Sequence, residues 1–168
     1  QILLVDEERE RLVLQAASGE VGQRLKDEGY CLLIGPDSLN GQAAFTNSPV
    51  VSNDVSKDPH FHADHCLAGT RSEMVIPLRI SQRVIGTLDV QSSVLDGFGP
   101  EDIVVIQSLG DQVSIALENA RLYQRSRELA VLEERNRIAR ELHDSVTQSL
   151  FSIDLHARAV ATYLRQNP

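Results

Sequence analysis

The run RIARELHDSVTQSL, residues 137–150, sets His143 beside Asp144 and places Gln148 four residues further on. A neutral imidazole nitrogen can attack a γ-phosphate when a neighbour takes or orients the proton on its other nitrogen. Asp144 is the nearest candidate for that role. Gln148 cannot act as a base. An amide can, however, position a water for hydrolysis of a phosphorylated partner, and on a helix the four-residue step puts it on the face of Asp144. A bare His-Asp pair is more often two surface side chains, so the chemistry depends on the setting.

A second group, HFHADHC, brings His60, His62, His65 and Cys66 within seven residues. Imidazole and thiolate suit transition metals. The spacing matches no common zinc pattern, and a His-rich polar loop is most simply solvated, so no metal is expected. The sequence puts no histidine of this loop in a clearly pocket-facing position. Cys31, inside the apolar run YCLLIG, is expected to be a buried small hydrophobe.

These residues sit in a chain of 168, with 42% hydrophobic residues, 4% aromatic and no Trp, so any core is aliphatic. No apolar run approaches the roughly 20 residues of a membrane span. Two cysteines are too few for a disulfide scaffold, which makes a reducing, cytoplasmic setting the default. The net charge of −8 is uneven: residues 1–120 hold 18 acids and 8 bases, residues 121–168 hold 6 acids and 8 bases, all Arg. Nothing in this balance suggests a nucleic-acid partner. The chain opens at Gln1 and ends at Pro168, which reads as a piece of a longer protein whose upstream part could carry a membrane tether.

Strands are expected at 1–5, 11–16, around PVVSND, at 73–80 and at 83–92, the last two joined by the tight turn SQ. Helices are expected at 21–28, ending at Gly29, and at 39–46, capped by Ser38. Pro100 suits the first position of a further helix, with Glu101 and Asp102 at the positive end of its dipole. After Pro100 only Gly110 interrupts an Ala-, Leu-, Glu- and Arg-rich run, so one very long helix or two collinear ones follow. Leu122, Leu129 and Asn136 fall seven apart, with Leu132 and Ala139 between them and Arg125 weakening the seam, which predicts a dimeric coiled coil. Further on, Leu142, Val146, Leu150, Ile153, Ala157, Val160 and Leu164 form one stripe, with His143 at its solvent-reachable edge. The fold class is α+β: an antiparallel sheet with flanking helices, then the long C-terminal helix.

Four stretches, QILLVDEERERLVLQAASGE, SPVVSNDVSKDPHF, GTRSEMVIPLRISQRVIGTLDVQS and FGPEDIVVIQSLGDQVSIALENARLY, resemble a GAF domain over about residues 1–123. The family's opening helix is not in the chain. The resemblance implies a pocket for an unidentified small molecule or another signal. ERNRIARELHDSVTQSL resembles the dimerisation and phosphoacceptor helix of bacterial sensor histidine kinases, in the nitrate/nitrite-sensor-like subfamily with the pattern His-Asp-x-x-x-Gln. It implies that His143 is autophosphorylated, that Asp144 is the general base and that Gln148 supports dephosphorylation of a response regulator. Arg140 and Glu141 match the pattern without a chemical step and read as a solvated charge pair.

The organisation expected is a GAF-like sensor over 1–112, a signalling helix over 113–136 and a truncated phosphoacceptor helix over 137–168. The chain holds no Gly-rich phosphate loop, and too little follows His143 for an ATP-binding domain. ATP and Mg are therefore expected only for a catalytic domain of the parent protein, and this segment is expected to be inactive alone. Its partners would be a second copy, through the long helix, and a receiver domain. The competing reading is a non-catalytic GAF scaffold with a degenerate kinase tail.

Overall fold

Short runs of aliphatic residues bounded by turn residues form the strands β1 (Ile2–Asp6), β2 (Arg11–Ala16), β3 (Cys31–Leu33), β4 (Val50–Ser52), β5 (Ser72–Ile80) and β6 (Arg83–Ser92). The computed structural model describes residues 1–6, 8–61 and 69–166; the side chains of residues 144, 149 and 154–166 lie outside that description. The strands form one antiparallel sheet in the order β3-β2-β1-β6-β5-β4. Helices α1 (Gly19–Asp27), α2 (Leu39–Thr46) and α3 (Pro100–Gln166) complete the α+β arrangement. Two compact units divide the chain, residues 1–119 and residues 120–168.

Local chemistry sets the helix ends. Ser38 Oγ accepts from the Gly41 amide at 2.9 Å and starts α2, and Asn47 closes it in the left-handed region at φ 52°. At the start of α3, Asp102 reaches back to accept from the Gly99 amide at 2.8 Å, while Pro100 occupies a position that needs no N–H. Asn53 fixes the approach to that helix: its amide donates to the Phe98 carbonyl at 2.9 Å and its oxygen accepts from the Phe98 amide at 3.1 Å.

The β5–β6 hairpin carries side chains on both faces, alternating with a period of two. Met74, Ile76, Leu78 and Leu88 are buried on one face against Ile103, Ile106, Val113 and Leu117 of α3. Val75 packs on the other face with Leu39 and Ala43 of α2. Towards β1 and β2, a further cluster gathers Leu3, Leu12, Leu14, Leu25 and Ala44. A register shift at Leu78/Arg79 frees the Arg79 amide from the ladder, and Ser114 Oγ of α3 accepts it at 3.1 Å.

Two expectations change. The run YCLLIG becomes the edge strand β3, in which Leu32 turns inward and Cys31 outward, so Cys31 is exposed rather than buried. Its Sγ lies 3.6 Å from Arg11 Nη1. The polar loop after β4 contains a 3-10 turn, Val55–Lys57, capped by Asp54. Among the described residues, no helix is long and apolar enough to cross a membrane.

Gly86 of β6 lies where β1 crosses closest. A Cβ there would run into the Leu3 carbonyl and the Leu4 side chain. Gly86→Ala is expected to destabilise the sheet unit by about 1–3 kcal/mol, measured by urea denaturation, because the obstacle is backbone that cannot turn aside.

Candidate functional site

The face of β5–β6 under α2 carries a polar cluster. Register places Glu73 opposite Gln91, Val75 opposite Asp89 and Pro77 opposite Thr87, so Glu73, Thr87, Asp89 and Gln91 share one face. Asn40, in the first turn of α2, enters this face from above. Its amide donates to Glu73 Oε1 at 3.5 Å and to Asp89 Oδ2 at 3.3 Å, and its oxygen accepts from Thr87 Oγ1 at 2.7 Å. Gln91 donates to Asp89 Oδ2 at 3.2 Å and accepts from Thr70 Oγ1 at 3.0 Å. Asn40, Glu73 and Asp89 are each no more than 5% exposed.

A small cavity opens beside the cluster, lined by Tyr30, Leu32, Asn40, His60, Phe61, Glu73 and Asp89 among others. Its volume is about 20 Å³, room for roughly one water-sized group. His60, not singled out as pocket-facing by the sequence, lines it; its Nδ1 lies 3.2 Å from Asp58 Oδ1. His62, His65 and Cys66 lie outside the described residues. Among the described residues, no group of three or more His, Cys, Asp or Glu is arranged to hold a metal ion.

Burial pushes the Glu73 carboxyl up to about 9, reinforced by the charges of Asp89 and then Asp58. Burial also raises Asp89, against the positive charge of the Gln1 amino group and then the hydrogen bonds from Asn40 and Gln91. At Asp58 burial pushes upward too, but hydrogen bonds from His60 and Ser52 outweigh it and the carboxyl is held low. At neutral pH the Glu73–Asp89 pair therefore holds a proton that free carboxylates would have released. Sequence reasoning missed this cluster. Its only signal was an acid inside each of two strongly apolar strand runs, EMVIPLRI and RVIGTLDVQS.

In the second unit, α3 presents His143 and Gln148 as exposed side chains, while the Asp144 side chain lies outside the described residues. The apolar stripe beside them is open surface: Leu142 is 61% exposed, Val146 55% and Leu150 62%. Six residues before His143, Arg137 bridges Glu134 and Glu141. The hydrogen bond to Arg137 holds Glu134 below the usual carboxylate range. Arg140 and Glu141 are both exposed and point apart, as adjacent residues on a helix do. Glu141 pairs with Arg137 four residues back, and Arg140 donates to the Asn136 carbonyl at 3.2 Å.

The raised Glu73 carboxyl makes stability depend on pH. The unfolded chain releases this proton near 4.5, whereas the folded protein keeps it to about 9. The stabilisation is complete below the unfolded value and is lost as pH rises through the folded one. Thermal melts between pH 5 and pH 9 are expected to fall more for the wild type than for Glu73→Gln. At pH 9 the variant should melt several degrees higher.

Comparisons with known proteins follow the same division. Residues 2–118 match the GAF domain family. Residues 134–168 match a family described as histidine kinase, and this segment contains His143, Asp144 and Gln148. The sensor histidine kinase YhcY of Bacillus subtilis (strain 168) is 37% identical over 100 residues, 58% of this chain and 26% of that protein. The chain thus spans about a quarter of the length of this curated relative. Among solved structures, the free methionine-R-sulfoxide reductase of Neisseria meningitidis, in complex with its substrate, has a TM-score of 0.60. It is 29% identical, and the match covers 73% of this chain and 68% of that one. The GAF domain of a phosphoenolpyruvate-protein phosphotransferase from Coxiella burnetii has a TM-score of 0.62 at 16% identity, over 73% and 72% of the two chains. That likeness speaks for the fold alone. Its sheet order, its helices and a sequence match running from β1 into α3 agree: the chain belongs to the GAF domain family, with a histidine-kinase segment further along α3.

Proposed function

We propose that the chain is the input portion of a cytoplasmic sensor histidine kinase of the nitrate/nitrite-sensor-like subfamily. Residues 1–112 act as the sensor of a small-molecule or redox signal, 113–136 as the signalling helix, and 137–168 as the phosphoacceptor helix. The observation that carries this reading is the position of His143. It lies in the histidine-kinase match, exposed on α3, the helix whose first turns pack against the GAF sheet.

The chemistry follows from the residue types. A His143 ring nitrogen attacks the γ-phosphorus of ATP held by a catalytic domain of the parent protein. A P–N bond forms, the bond to the bridging oxygen breaks, and ADP leaves with that electron pair. Asp144 takes the proton from the other ring nitrogen. The phosphoryl group then passes to a carboxylate of a response-regulator receiver domain, and Gln148 orients a water for its later hydrolysis. The segment is expected to stay unphosphorylated when incubated with ATP alone. The open apolar stripe along Leu122, Leu129, Leu132, Leu142 and Val146 supports pairing with a second copy. The chain is then expected to sediment as a dimer; a monomer at assay concentration contradicts this part.

Signal reaches the helix through the sheet. A change in the cavity acts on β5 and β6, whose opposite face seats Ile103, Ile106 and Val113 of α3. The signal acts only if it binds the two arrangements of that helix with different affinity.

The parent kinase, incubated with γ-labelled ATP, is expected to carry acid-labile, base-stable label that His143→Gln abolishes. Asp144→Asn should slow labelling by on the order of 100-fold. Gln148→Ala should leave labelling intact and slow receiver dephosphorylation. An unlabelled wild-type parent would move the reading to a non-catalytic GAF scaffold.

A further inference from the structure

Asp89 is 4% exposed, yet its Oδ1 is one of two buried side-chain oxygens with no hydrogen-bond partner among the described residues. Its other oxygen is held by Asn40 and Gln91, so the carboxylate cannot turn to satisfy both. A buried acceptor left unpaired costs on the order of 1–3 kcal/mol, more for a charged group. It borders the cavity that Glu73 also lines, and Glu73 and Asn40 are buried alongside it. A bound group that supplies the missing donor, an ordered water or the polar head of a ligand, removes that cost.

The lining identifies the donor's chemistry. Two buried carboxyl groups converge there, no Lys or Arg is among the lining residues, and the Gln1 amino group at the edge is already committed to the Asp89 backbone carbonyl at 2.7 Å, which leaves Asp89 Oδ1 without a donor. The basic side chain present, His60, is already turned to Asp58. The volume takes one small polar head, the size of a water or an ammonium group. Tyr30, Leu32 and Phe61 complete the rim with half-buried apolar and aromatic surface, suited to a short carbon chain and to a cation near a ring face.

We infer that this cavity is a binding site for a small primary amine. The ammonium head donates to Asp89 Oδ1 and Glu73, and the alkyl body lies along Tyr30, Leu32 and Phe61. This assignment rests on the sensor reading of the GAF unit and names the chemical class of its ligand. An anion is disfavoured by the two acids, and a neutral alcohol lacks the charge that the pair selects.

The test is a titration of the whole chain with propylammonium, with 1-propanol and propionate as neutral and anionic counterparts. Binding is followed by calorimetry and by the rise in melting temperature that a ligand of the folded state produces. Propylammonium is expected to bind saturably and at least tenfold more tightly than either counterpart. Asp89→Asn should weaken it at least tenfold while melting, without ligand, no lower than the wild type. Glu73→Gln, of the same shape, should weaken it as well. The assignment is overturned by equal affinity for propanol, by binding that survives both substitutions, or by no amine response in a folded wild type. No ATP or receiver domain is present in this titration. A missing amine response therefore leaves the His143 chemistry standing, and an unlabelled His143 leaves the amine site standing.

Discussion

The structure depends on two faces of one hairpin. Along β5 and β6 each step of one residue moves a side chain from one layer of the unit to the other. Met74, Ile76, Leu78 and Leu88 hold α3 on one side; Glu73, Thr87 and Asp89 build the polar cluster under α2 on the other. Burying each large aliphatic side chain contributes about 1.5–3 kcal/mol. Taking two carboxyl groups out of water costs free energy, which Asn40, Gln91 and Thr87 offset only in part. The apolar face makes the polar face tolerable, so neither can be redesigned without disturbing the other.

The same backbone therefore forms the floor of the cavity and the seat of a helix. The attachment is specific as well as apolar. Ser114 of α3 takes the amide that the β5 irregularity releases, and Gly110 lets the helix approach Ile76 and Leu78 closely. In the proposed sensor, a change of charge or occupancy at Asp89 would act on a strand pair whose reverse side packs against α3. His143 lies on that helix in the second unit, with Arg137 and its ion pairs six residues before it. This gives the proposed sensor a physical connection, and the difference in ligand affinity between two helix arrangements would set how far it can shift the balance.

Features written in a few neighbouring residues were legible in the sequence. Ser38 before LNGQ, the SQ turn between two strand runs, and Pro100 followed by two acids each act over one turn, and each occurs where expected. The histidine-kinase segment around His143 was legible for the same reason, since its matching residues lie within a short run. The acid cluster was not. Glu73, Asp89 and Asn40 meet only through strand register and the docking of α2, and alternation alone does not say which face of a buried hairpin is polar. Cys31 reversed because a three-residue edge strand presents alternate side chains outward, whatever the polarity of the surrounding run. His60 reached the cavity because Asp58, two residues earlier, accepts both its amide and its ring and turns it inward.

The most direct test of this two-faced hairpin is amide hydrogen exchange on the whole chain, comparing wild type with Asp89→Asn. The substitution keeps the shape of the side chain, removes its charge and turns one acceptor oxygen into an NH2 donor, on the cavity face. The account predicts altered protection in β5 and β6 and also in α3 between Ile103 and Leu117, on the opposite face. Altered protection confined to α2 and the residues around Asp89, with that part of α3 unchanged, would contradict it.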